Sequence, residues 1–442
     1  MRAAPEIFRA YDIRGIVPDQ LDEAGAEQIG RAFAAFVEPE RAVVGRDIRK
    51  TGPAFQAAVT RGLTASGVDV VDIGRVSTDE YYFACMKHDL PGIMVTASHN
   101  PGEYNGFKMV KKMPEFVLAK EFRSWVLEKE YEDADRTGTV TTDETLDGFV
   151  GRMLELVPPD RLKPLTVVVD TSNGSQGVTW ERLRKRLPLE IVPLFWEPDG
   201  SFPNHPNDVI QPEAKEPLRK KVLEARADLG LIFDPDGDRC LVVDDEGRDI
   251  PGDFLTALLA KTMLQRAPGS TVVYDVRASD AVPDAIREAG GEPLAWKVGH
   301  AYIKRKMMEC NAVFGGEVSG HFYFRDFGYA DCGILAGLAV LEYVSRLPGP
   351  LSVERKRLES KYHLSGEINS KVADVPKVLD RIKRRYADAE LDELNGVGIR
   401  YPDWHFVVRP SDNEPLVRLT LEADSDGLMQ QKRDEVLALI RE

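Results

Sequence analysis

The sequence predicts an α/β protein built from three similar α/β units, followed by a smaller α+β domain. Three β-branched runs, at residues 42–47, 166–170 and 271–275, end in aspartate, and a helix-like segment follows each after a short loop. Units of roughly 100 residues are typical of α/β domains. From about Gly366 the pattern changes to a basic amphipathic helix followed by strand-like runs, which predicts a domain of another kind.

Shifts in composition mark the boundaries between these parts. A threonine-rich stretch at residues 137–143 reads as a linker, and glycine or proline breaks the chain again at residues 247–252 and 347–350. The sequence therefore predicts four domains, at residues 1–143, 144–249, 250–362 and 363–442.

Composition restricts the classes of partner. The 442 residues are 43% hydrophobic and 30% charged, and the net charge of −15 argues against a nucleic-acid partner. No apolar stretch is long enough to predict a membrane span, so we expect no membrane partner either. The four cysteines are scattered, without a Cys-x-x-Cys pair, which favours a reducing cytoplasm.

A serine follows an apolar run, residues 92–95, that reads as a buried strand. Ser98 has His99 as its neighbour, and Lys108 lies at the far end of the same glycine-containing loop. No Gly-x-Ser-x-Gly surrounds it, so a hydrolase nucleophile is disfavoured. An ordinary turn capped by serine is one interpretation. A hydroxyl among a lysine, a histidine and backbone N–H groups suits a phosphate better than an acyl group.

A second motif contains three carboxylates on a short loop between two apolar runs. Asp234, Asp236 and Asp238 repel one another unless a cation neutralises them, and hard oxygen ligands suit Mg²⁺. An EF-hand is excluded, because Arg239 stands where the glycine is required and strands flank the loop. A solvated acidic turn is the alternative, but Arg239 favours a phosphate next to the metal.

Two further motifs are weaker when taken singly. The glycine-rich run at residues 315–321 presents Glu317, Ser319 and His321, a combination that suits sugar hydroxyls. Alone it could be an ordinary glycine-rich turn. A Lys–His pair on a glycine loop, Lys297 and His300, precedes it.

The last motif is a proline-bounded turn that begins at Arg409. Arg409, Ser411, Asn413 and the nearby Arg418 suit a phosphate cradle, and the alternative is a polar surface turn.

Together these stretches resemble the α-D-phosphohexomutase family, most closely its phosphomannomutase/phosphoglucomutase branch. The family's N-terminal signature, phosphoserine loop, metal loop, sugar loop and phosphate loop match, in that order, residues 8–15, 96–101, 234–239, 317–321 and 409–415. The resemblance implies three α/β domains with mixed sheets and a C-terminal α+β domain of the TATA-box-binding-like kind. It also implies a central cleft to which each domain contributes one loop.

The resemblance further implies a phosphoserine mechanism. Ser98 would carry a phosphoryl group, bridged by Mg²⁺ to Asp234, Asp236 and Asp238, and a hexose 1,6-bisphosphate would be both intermediate and activator. The charges of Arg14, Lys108 and Arg239 would assist, beside His99; Lys108, His300 or His321 would move the sugar proton. Substrate-binding residues would be Tyr11, Arg277, Lys297, Gly299, Glu317, Ser319, Arg409, Ser411, Asn413 and Arg418.

Two departures from the family pattern concern substrate binding. Asp412 and Asn413 stand where relatives carry Asn or Gly and then Thr, and Arg277 replaces a lysine. The substrates would be mannose and/or glucose phosphates. Alternatives are a phosphoglucosamine mutase, a Mg²⁺-dependent sugar phosphatase, and a sugar-phosphate-binding paralogue without activity. We expect a cytoplasmic monomer or weak dimer.

Overall fold

The computed structural model describes residues 3–9, 11–411 and 416–442, and its chain divides into two compact units. The first contains Met1–Asp249 and Ser319–Pro348, and the second contains Ile250–Val318 and Gly349–Glu442. Helices alternate with strands over most of the chain, and the last part is an antiparallel sheet with helices. The predicted α/β class with a C-terminal α+β domain is confirmed.

The N-terminal sheet has the order β1-β5-β4-β2-β3-β7, with β6 paired to β5. It is mixed, because β2 runs parallel to β3 and β4, whereas β5 is antiparallel to β4 and β1. Its elements are β1 Ile13–Ile16, α1 Glu23–Val37, β2 Arg41–Arg46, α2 Gly52–Ala65, β3 Asp69–Arg75, α3 Thr78–His88, β4 Gly92–Val95, β5 Tyr104–Lys112, β6 Glu115–Phe116, α4 Ala119–Leu127 and β7 Val140–Thr142.

The next sheet has the order β9-β8-β10-β11. β10 is parallel to β8 and antiparallel to β11, and the β10–β11 connection carries the three-aspartate loop. Every residue of β10 and β11 is buried, as expected for strands covered on both faces. The elements are α5 Leu146–Leu156, β8 Leu165–Asp170, α6 Gly177–Leu183, β9 Leu189–Leu194, α7 Pro212–Ala225, β10 Leu229–Phe233, β11 Cys240–Asp244 and β12 Asp249–Ile250.

The third repeat begins the second unit with three parallel strands in the order β14-β13-β15. The chain then returns to the first unit with an antiparallel pair, β16 and β17, and a buried helix. The elements are α8 Gly252–Arg266, β13 Thr271–Asp275, α9 Ala281–Glu288, β14 Glu292–Trp296, α10 His300–Cys310, β15 Phe314–Gly316, β16 Phe322–Phe324, β17 Ala330–Asp331 and α11 Gly333–Arg346.

The C-terminal sheet is antiparallel, in the order β18-β23-β22-β21-β20, with β19 also paired to β23. Its apolar face packs against two helices through residues such as Ile382, Phe406, Leu419 and Val436. The elements are α12 Leu351–Glu359, β18 His363–Leu364, β19 Ile368–Lys371, α13 Val375–Arg385, β20 Glu390–Asp392, β21 Val397–Arg400, β22 Trp404–Pro410, β23 Leu416–Ala423 and α14 Asp426–Arg441.

The three aspartate-ended runs form β2, β8 and β13, and the helix-like segments predicted after them form α2, α6 and α9. Within the described ranges, no helix combines the length and the apolarity needed to cross a bilayer.

Gly106 fixes the pairing of β1 with β5, and its substitution tests this register. It stands opposite Arg14, and an added Cβ would lie 1.9 Å from the Ile13 carbonyl oxygen. We expect Gly106→Ala to lower the free energy of unfolding by about 1–3 kcal/mol, measured by urea denaturation, because the strands must separate. The matched control is Gly151→Ala in α5, where an added Cβ meets nothing within 4 Å and a gain of about 0.5–1 kcal/mol is expected. Equal stability of both variants would contradict the register.

Candidate active site

Ser98 lies at the end of β4 in a strained conformation. Its φ is +51°, a left-handed backbone that serine rarely adopts, and the residue is buried. Its N–H donates to Thr96 Oγ1 at 2.9 Å, and its Oγ donates to Asp234 Oδ2 at 3.2 Å. His99 Nδ1 lies 3.3 Å from the same Oγ. The serine hydroxyl therefore points at the acidic loop.

The three aspartates of that loop form one cluster. Asp234, Asp236 and Asp238 each offer a carboxylate oxygen, and these oxygens lie within 4.8 Å of one another. All three residues are buried, and Gly237 makes the turn between them with a φ of +80°. In the part of the chain that the structure describes, the Oδ1 atoms of Asp236 and Asp238 are buried and accept no hydrogen bond. Unpaired buried carboxylate oxygens fit a hard divalent cation.

Lys108, on β5, neutralises part of this charge. Its ammonium contacts Asp236 at 2.8 Å and also contacts Asp238. Burial opposes its charge, but the two carboxylates raise the pKa of Lys108, so it stays protonated. Burial likewise opposes ionisation of Asp236, but Lys108 and the Thr78 hydroxyl, which donates at 2.8 Å, hold the pKa of Asp236 below its usual value.

Asp234 has the opposite behaviour. Burial first, and then the carboxylates of Asp238 and Asp236, raise its pKa well above the usual value. It accepts hydrogen bonds from Ser98 Oγ and from the Arg239 N–H at 3.1 Å. Without a cation, ionisation of Asp234 is therefore disfavoured.

Arg239 and His321 form a second layer beside the aspartates. Arg239 Nε donates to His321 Nε2 at 3.0 Å, and His321 Nδ1 lies 3.1 Å from Asp331 Oδ2. Because a guanidinium can only donate, Nε2 is the acceptor, and Nδ1 lies on the side of Asp331 and Asp238. These contacts on both edges fix the orientation of the ring.

The N-terminal signature meets the serine loop from another side. Arg14 donates to Asn100 Oδ1 and pairs with Asp12, both at 2.8 Å, and half-buried Tyr11 lies just before β1. Burial, and then the charges of Arg239 and Arg14, lower the pKa of His99, so its ring is neutral. An open groove of about 420 Å³ runs beside this loop in the first unit, bounded by residues that include His99, Phe202, His205 and Asn207.

Sugar-loop residues are divided between the units. In the second unit, Glu317 Oε1 accepts from the Gly299 N–H at 2.8 Å, which fixes a turn of φ +125° at the start of α10, where His300 lies. Lys297 precedes this turn and is half-buried. Ser319 begins the returning segment of the first unit and is also half-buried.

Three predicted substrate-binding arginines converge within the second unit. Arg277, Arg409 and Arg418 contact the carboxylate of Glu367 at 3.1, 3.4 and 2.7 Å. Burial opposes the charge of Glu367, but the arginines lower its pKa to about 2. Arg277 also makes a two-point pair with Asp275, so it is held inside the unit.

Two donors of this cluster remain available. Among the described residues, the buried Nε atoms of Arg409 and Arg418 have no hydrogen-bond acceptor. Ser411 lies at the end of β22, where its N–H donates to the Leu416 carbonyl at 2.9 Å. Asn413 lies outside the described residues.

Sequence reasoning missed several residues of these clusters. Asp331 and Thr78 orient predicted site residues, and Glu367 gathers the arginines. Arg49 and its partner Asp47, 3.3 Å away, lie beneath the serine loop. From the sequence alone, Arg46-Asp47 indicates only the end of a strand. The pattern Asp47-x-Arg49, directly after that strand, is the signal that could indicate a buried ion pair near the Ser98 loop.

Comparison with known proteins gives consistent matches along the chain. Family profiles described as Phosphoglucomutase/phosphomannomutase alpha/beta/alpha domains I, II and III and C-terminal domain match residues 5–123, 147–247, 251–362 and 367–439. A Xanthomonas campestris pv. campestris protein named "Phosphohexose mutases" is 40% identical over 444 residues, covering 98% of this chain and 99% of that protein. An Escherichia coli phosphomannomutase is 37% identical over 450 residues, with 98% and 99% covered.

Solved structures agree with these matches. The crystal structure of a phosphoglucomutase/phosphomannomutase family protein from Burkholderia thailandensis has a TM-score of 0.89 and 34% identity, and covers 99% of this chain and 97% of that chain.

Cation binding to the acidic loop should release protons as the pH is lowered, because burial and the neighbouring carboxylates raise the pKa of Asp234 well above its usual value. With Mg²⁺ as the probe, affinity should fall as the pH falls below the Asp234 pKa, by up to about tenfold per pH unit. Calorimetry in two buffers of different protonation enthalpy counts the protons. Asp234→Asn should bind more weakly and without this pH dependence, whereas Glu224→Gln, an exposed control, should match the wild type. Binding that is independent of pH in the wild type would contradict the assignment.

Proposed function

The chain belongs to the α-D-phosphohexomutase family, in its phosphoglucomutase/phosphomannomutase branch, and is an isomerase of that class. From this premise we propose that it interconverts the 1-phosphate and 6-phosphate of mannose and/or glucose, through a phosphoserine at Ser98 and a hexose 1,6-bisphosphate. The observation that carries the proposal is the Ser98 hydroxyl, held 3.2 Å from Asp234 in a three-carboxylate cluster that includes Lys108.

The reaction is written as two phosphoryl transfers. In the first, the bond from phosphorus to Ser98 Oγ breaks and a bond to the free sugar hydroxyl forms; the hydroxyl proton passes to a base, and the freed Ser98 Oγ takes up a proton to become a hydroxyl. In the second, the Ser98 hydroxyl gives up its proton as it takes the other phosphate of the bisphosphate, and the released sugar oxygen takes the proton from the base. Mg²⁺ held by Asp234, Asp236, Asp238 and the phosphoserine would supply charge neutralisation, which is the main requirement of phosphoryl transfer.

Protein cations supply the remaining positive charge. Lys108 is held between two aspartates and stays protonated, so it serves as a fixed charge and not as a base. Arg14 and Arg239 flank the serine loop and the acidic loop. Neutral His99 lies beside the Ser98 hydroxyl, where it can orient the oxygen.

We assign the proton transfer to His321 in preference to Lys108 or His300. Its Nε2 accepts from Arg239 Nε at 3.0 Å, so this nitrogen carries no proton, and it lies beside the acidic loop. Its Nδ1 lies 3.1 Å from Asp331 Oδ2, which orients the ring. As a general base, His321 would exchange the Arg239 contact for the sugar hydroxyl. His300 begins α10 in the second unit, whereas His321 belongs to the same unit as Ser98 and the acidic loop.

Recognition of the substrate is assigned to residues of the sugar and phosphate loops. Arg409 and Arg418 keep buried Nε donors that suit the phosphate not being transferred, together with Ser411 and Asn413. Glu317 and Ser319 would bind sugar hydroxyls, with Lys297, Gly299 and Tyr11 as further contacts. Arg277 is assigned to phosphate binding through the same arginine cluster.

We further propose that the chain has four domains, at residues 1–143, 144–249, 250–362 and 363–442. The protein would be a monomer or weak dimer in the cytoplasm. Hexose 1,6-bisphosphate would activate it. That activator would restore the phosphate on Ser98 whenever the intermediate dissociates.

Purified protein should carry phosphate on Ser98, or accept it from glucose 1,6-bisphosphate, because the strained serine faces a cation site. Intact-mass and peptide analysis measure it. Ser98→Ala should abolish both phosphorylation and turnover, with Ser66→Ala at the end of α2 as the matched control. Full mutase turnover by Ser98→Ala would show that the phosphoserine mechanism is wrong.

Mannose and glucose phosphates should be used at similar rates. The two sugars differ at C2, and Val318, between the hydroxyl-binding residues, offers no side-chain hydrogen bond to distinguish them. We expect kcat/KM for mannose 1-phosphate and glucose 1-phosphate to agree within roughly tenfold, about 1.4 kcal/mol, in a coupled assay.

Glucosamine 1-phosphate, measured in the same assay, should be used less well. A preference for it by about a hundredfold would instead identify a phosphoglucosamine mutase. Release of free phosphate in step with substrate loss would identify a phosphatase.

A further inference from the structure

Arg49 is a buried arginine whose side chain is enclosed by the Ser98 loop. The residue is 1% exposed. Its Nη2 donates to the carbonyls of Ser98 at 2.7 Å and Asn100 at 2.6 Å. Its Nη1 donates to the carbonyls of Pro101 at 2.7 Å and Tyr104 at 2.8 Å. Two Nη atoms carry four N–H groups, so each N–H has one carbonyl.

The loop depends on this cation because it has little secondary structure of its own. Ser98, Asn100 and Pro101 lie between β4 and β5, outside the strand ladders, whereas Tyr104 begins β5. The Asn100 carbonyl also accepts from Asn207 Nδ2 at 2.9 Å. Backbone carbonyls left without donors are unfavourable. Asp47 holds the guanidinium from the other side: its Oδ2 lies 3.3 Å from Arg49 Nε, and its Oδ1 accepts the Arg49 N–H at 2.9 Å. The Phe202 ring lies against the guanidinium, 5.4 Å from Cζ to the ring centre.

Ser98 is therefore fixed at both ends of its backbone. Thr96 Oγ1 accepts its N–H, Arg49 holds its carbonyl, and the same Asp47 accepts a hydrogen bond from Thr96 Oγ1 at 2.8 Å. A φ of +51° is unfavourable for serine and persists only where the surroundings enforce it. Together these contacts set the direction in which the Ser98 side chain leaves the backbone.

We propose that Arg49 is a positioning residue for phosphoryl transfer, which aligns Ser98 Oγ with the acidic loop by gathering the four carbonyls of its loop. This inference rests on the proposed function, since alignment matters only if Ser98 gives and takes a phosphoryl group. Arg49 contacts Ser98 only at its main-chain carbonyl, so it touches neither the reacting Oγ nor the side chains that would hold the metal. Misplacement of a reacting atom by about 1 Å can slow a reaction about a hundredfold.

Lysine cannot replace this arginine. A lysine ammonium has three N–H groups at one point, whereas the four carbonyls require the planar fork of a guanidinium. Arg49→Lys keeps the charge and the approximate length, but the three N–H groups of an ammonium cannot make all four of these contacts. It is therefore the informative variant, because it tests geometry at constant charge.

The experiment compares wild type, Arg49→Lys and a matched destabilised control, Leu63→Ala, in the core of the N-terminal domain away from the loop. We expect Arg49→Lys to lower kcat about a hundredfold, with KM for the phosphosugar and affinity for Mg²⁺ within about threefold of wild type. After treatment with glucose 1,6-bisphosphate, the ³¹P resonance of the phosphoserine should narrow and shift towards that of free phosphoserine. Leu63→Ala should have a lower Tm but an unchanged kcat and an unchanged ³¹P resonance.

Each outcome decides one question. A wild type without phosphoserine ends the proposed function, and the inference with it. A phosphorylated, active wild type with an Arg49→Lys variant of unchanged kcat and ³¹P signal overturns the inference alone. If Leu63→Ala has the same Tm as Arg49→Lys and shows the same loss of kcat and the same change in the ³¹P signal, Arg49 has a merely structural role. That result also overturns the inference.

If Arg49→Lys does not fold, a second variant tests the inference. Asp47→Asn keeps the shape of the pair but removes its charge, and kcat should then fall about five- to tenfold with KM unchanged. An unchanged kcat in this variant overturns the inference.

Discussion

Three buried carboxylates on one loop are the electrostatic constraint on which the first unit depends. Asp234, Asp236 and Asp238 are at most 1% exposed, and a buried charge without a partner costs several kcal/mol. One ammonium, Lys108, contacts two of them, and Arg239 Nε lies 3.7 Å from the third, Asp234. Two cations do not balance three carboxylates, and burial and the neighbouring carboxylates raise the pKa of Asp234. A divalent cation bound there would compete with a proton, and this competition would link cation binding to pH.

Strand register supplies the partners of these carboxylates. β4 and β5 are antiparallel with Met94 opposite Lys108, which places the lysine next to the strand end where the Ser98 loop begins. The aspartates follow β10, and Thr78, at the start of α3, donates to Asp236. A slip of one residue in β5 would turn Lys108 to the other face of the sheet. The close approach at Gly106, two residues earlier, opposes such a slip. Catalytic chemistry at strand ends therefore depends on packing inside the sheet.

The sequence allows the fold class and the charged groups to be predicted, but not the way in which they are held. Ser98, Lys108 and the three aspartates carry side-chain chemistry that is visible in short motifs, and the structure brings them together. Arg49 acts on main-chain carbonyls, which every residue has, so no side-chain pattern indicates its partners. Glu367 meets its arginines through the pairing of β19, β22 and β23, which depends on tertiary register. The contacts that hold the site residues in place are therefore the part that the sequence does not predict.

The arginine cluster of the second unit also brings like charges together, but here the charges are positive. Arg409 and Arg418 stand directly opposite each other on β22 and β23, an arrangement that destabilises a sheet unless an anion lies between them. Glu367 is that anion, and its pKa of about 2 keeps it charged through the neutral range. One carboxylate cannot occupy all the donors of two guanidinium groups, and the Nε atoms of both arginines stay buried without an acceptor among the described residues. Glu367 therefore keeps the arginines gathered while leaving donors for a second anion. In the proposed function, a phosphate would meet donors that are already ordered, so less conformational entropy would be lost when it binds.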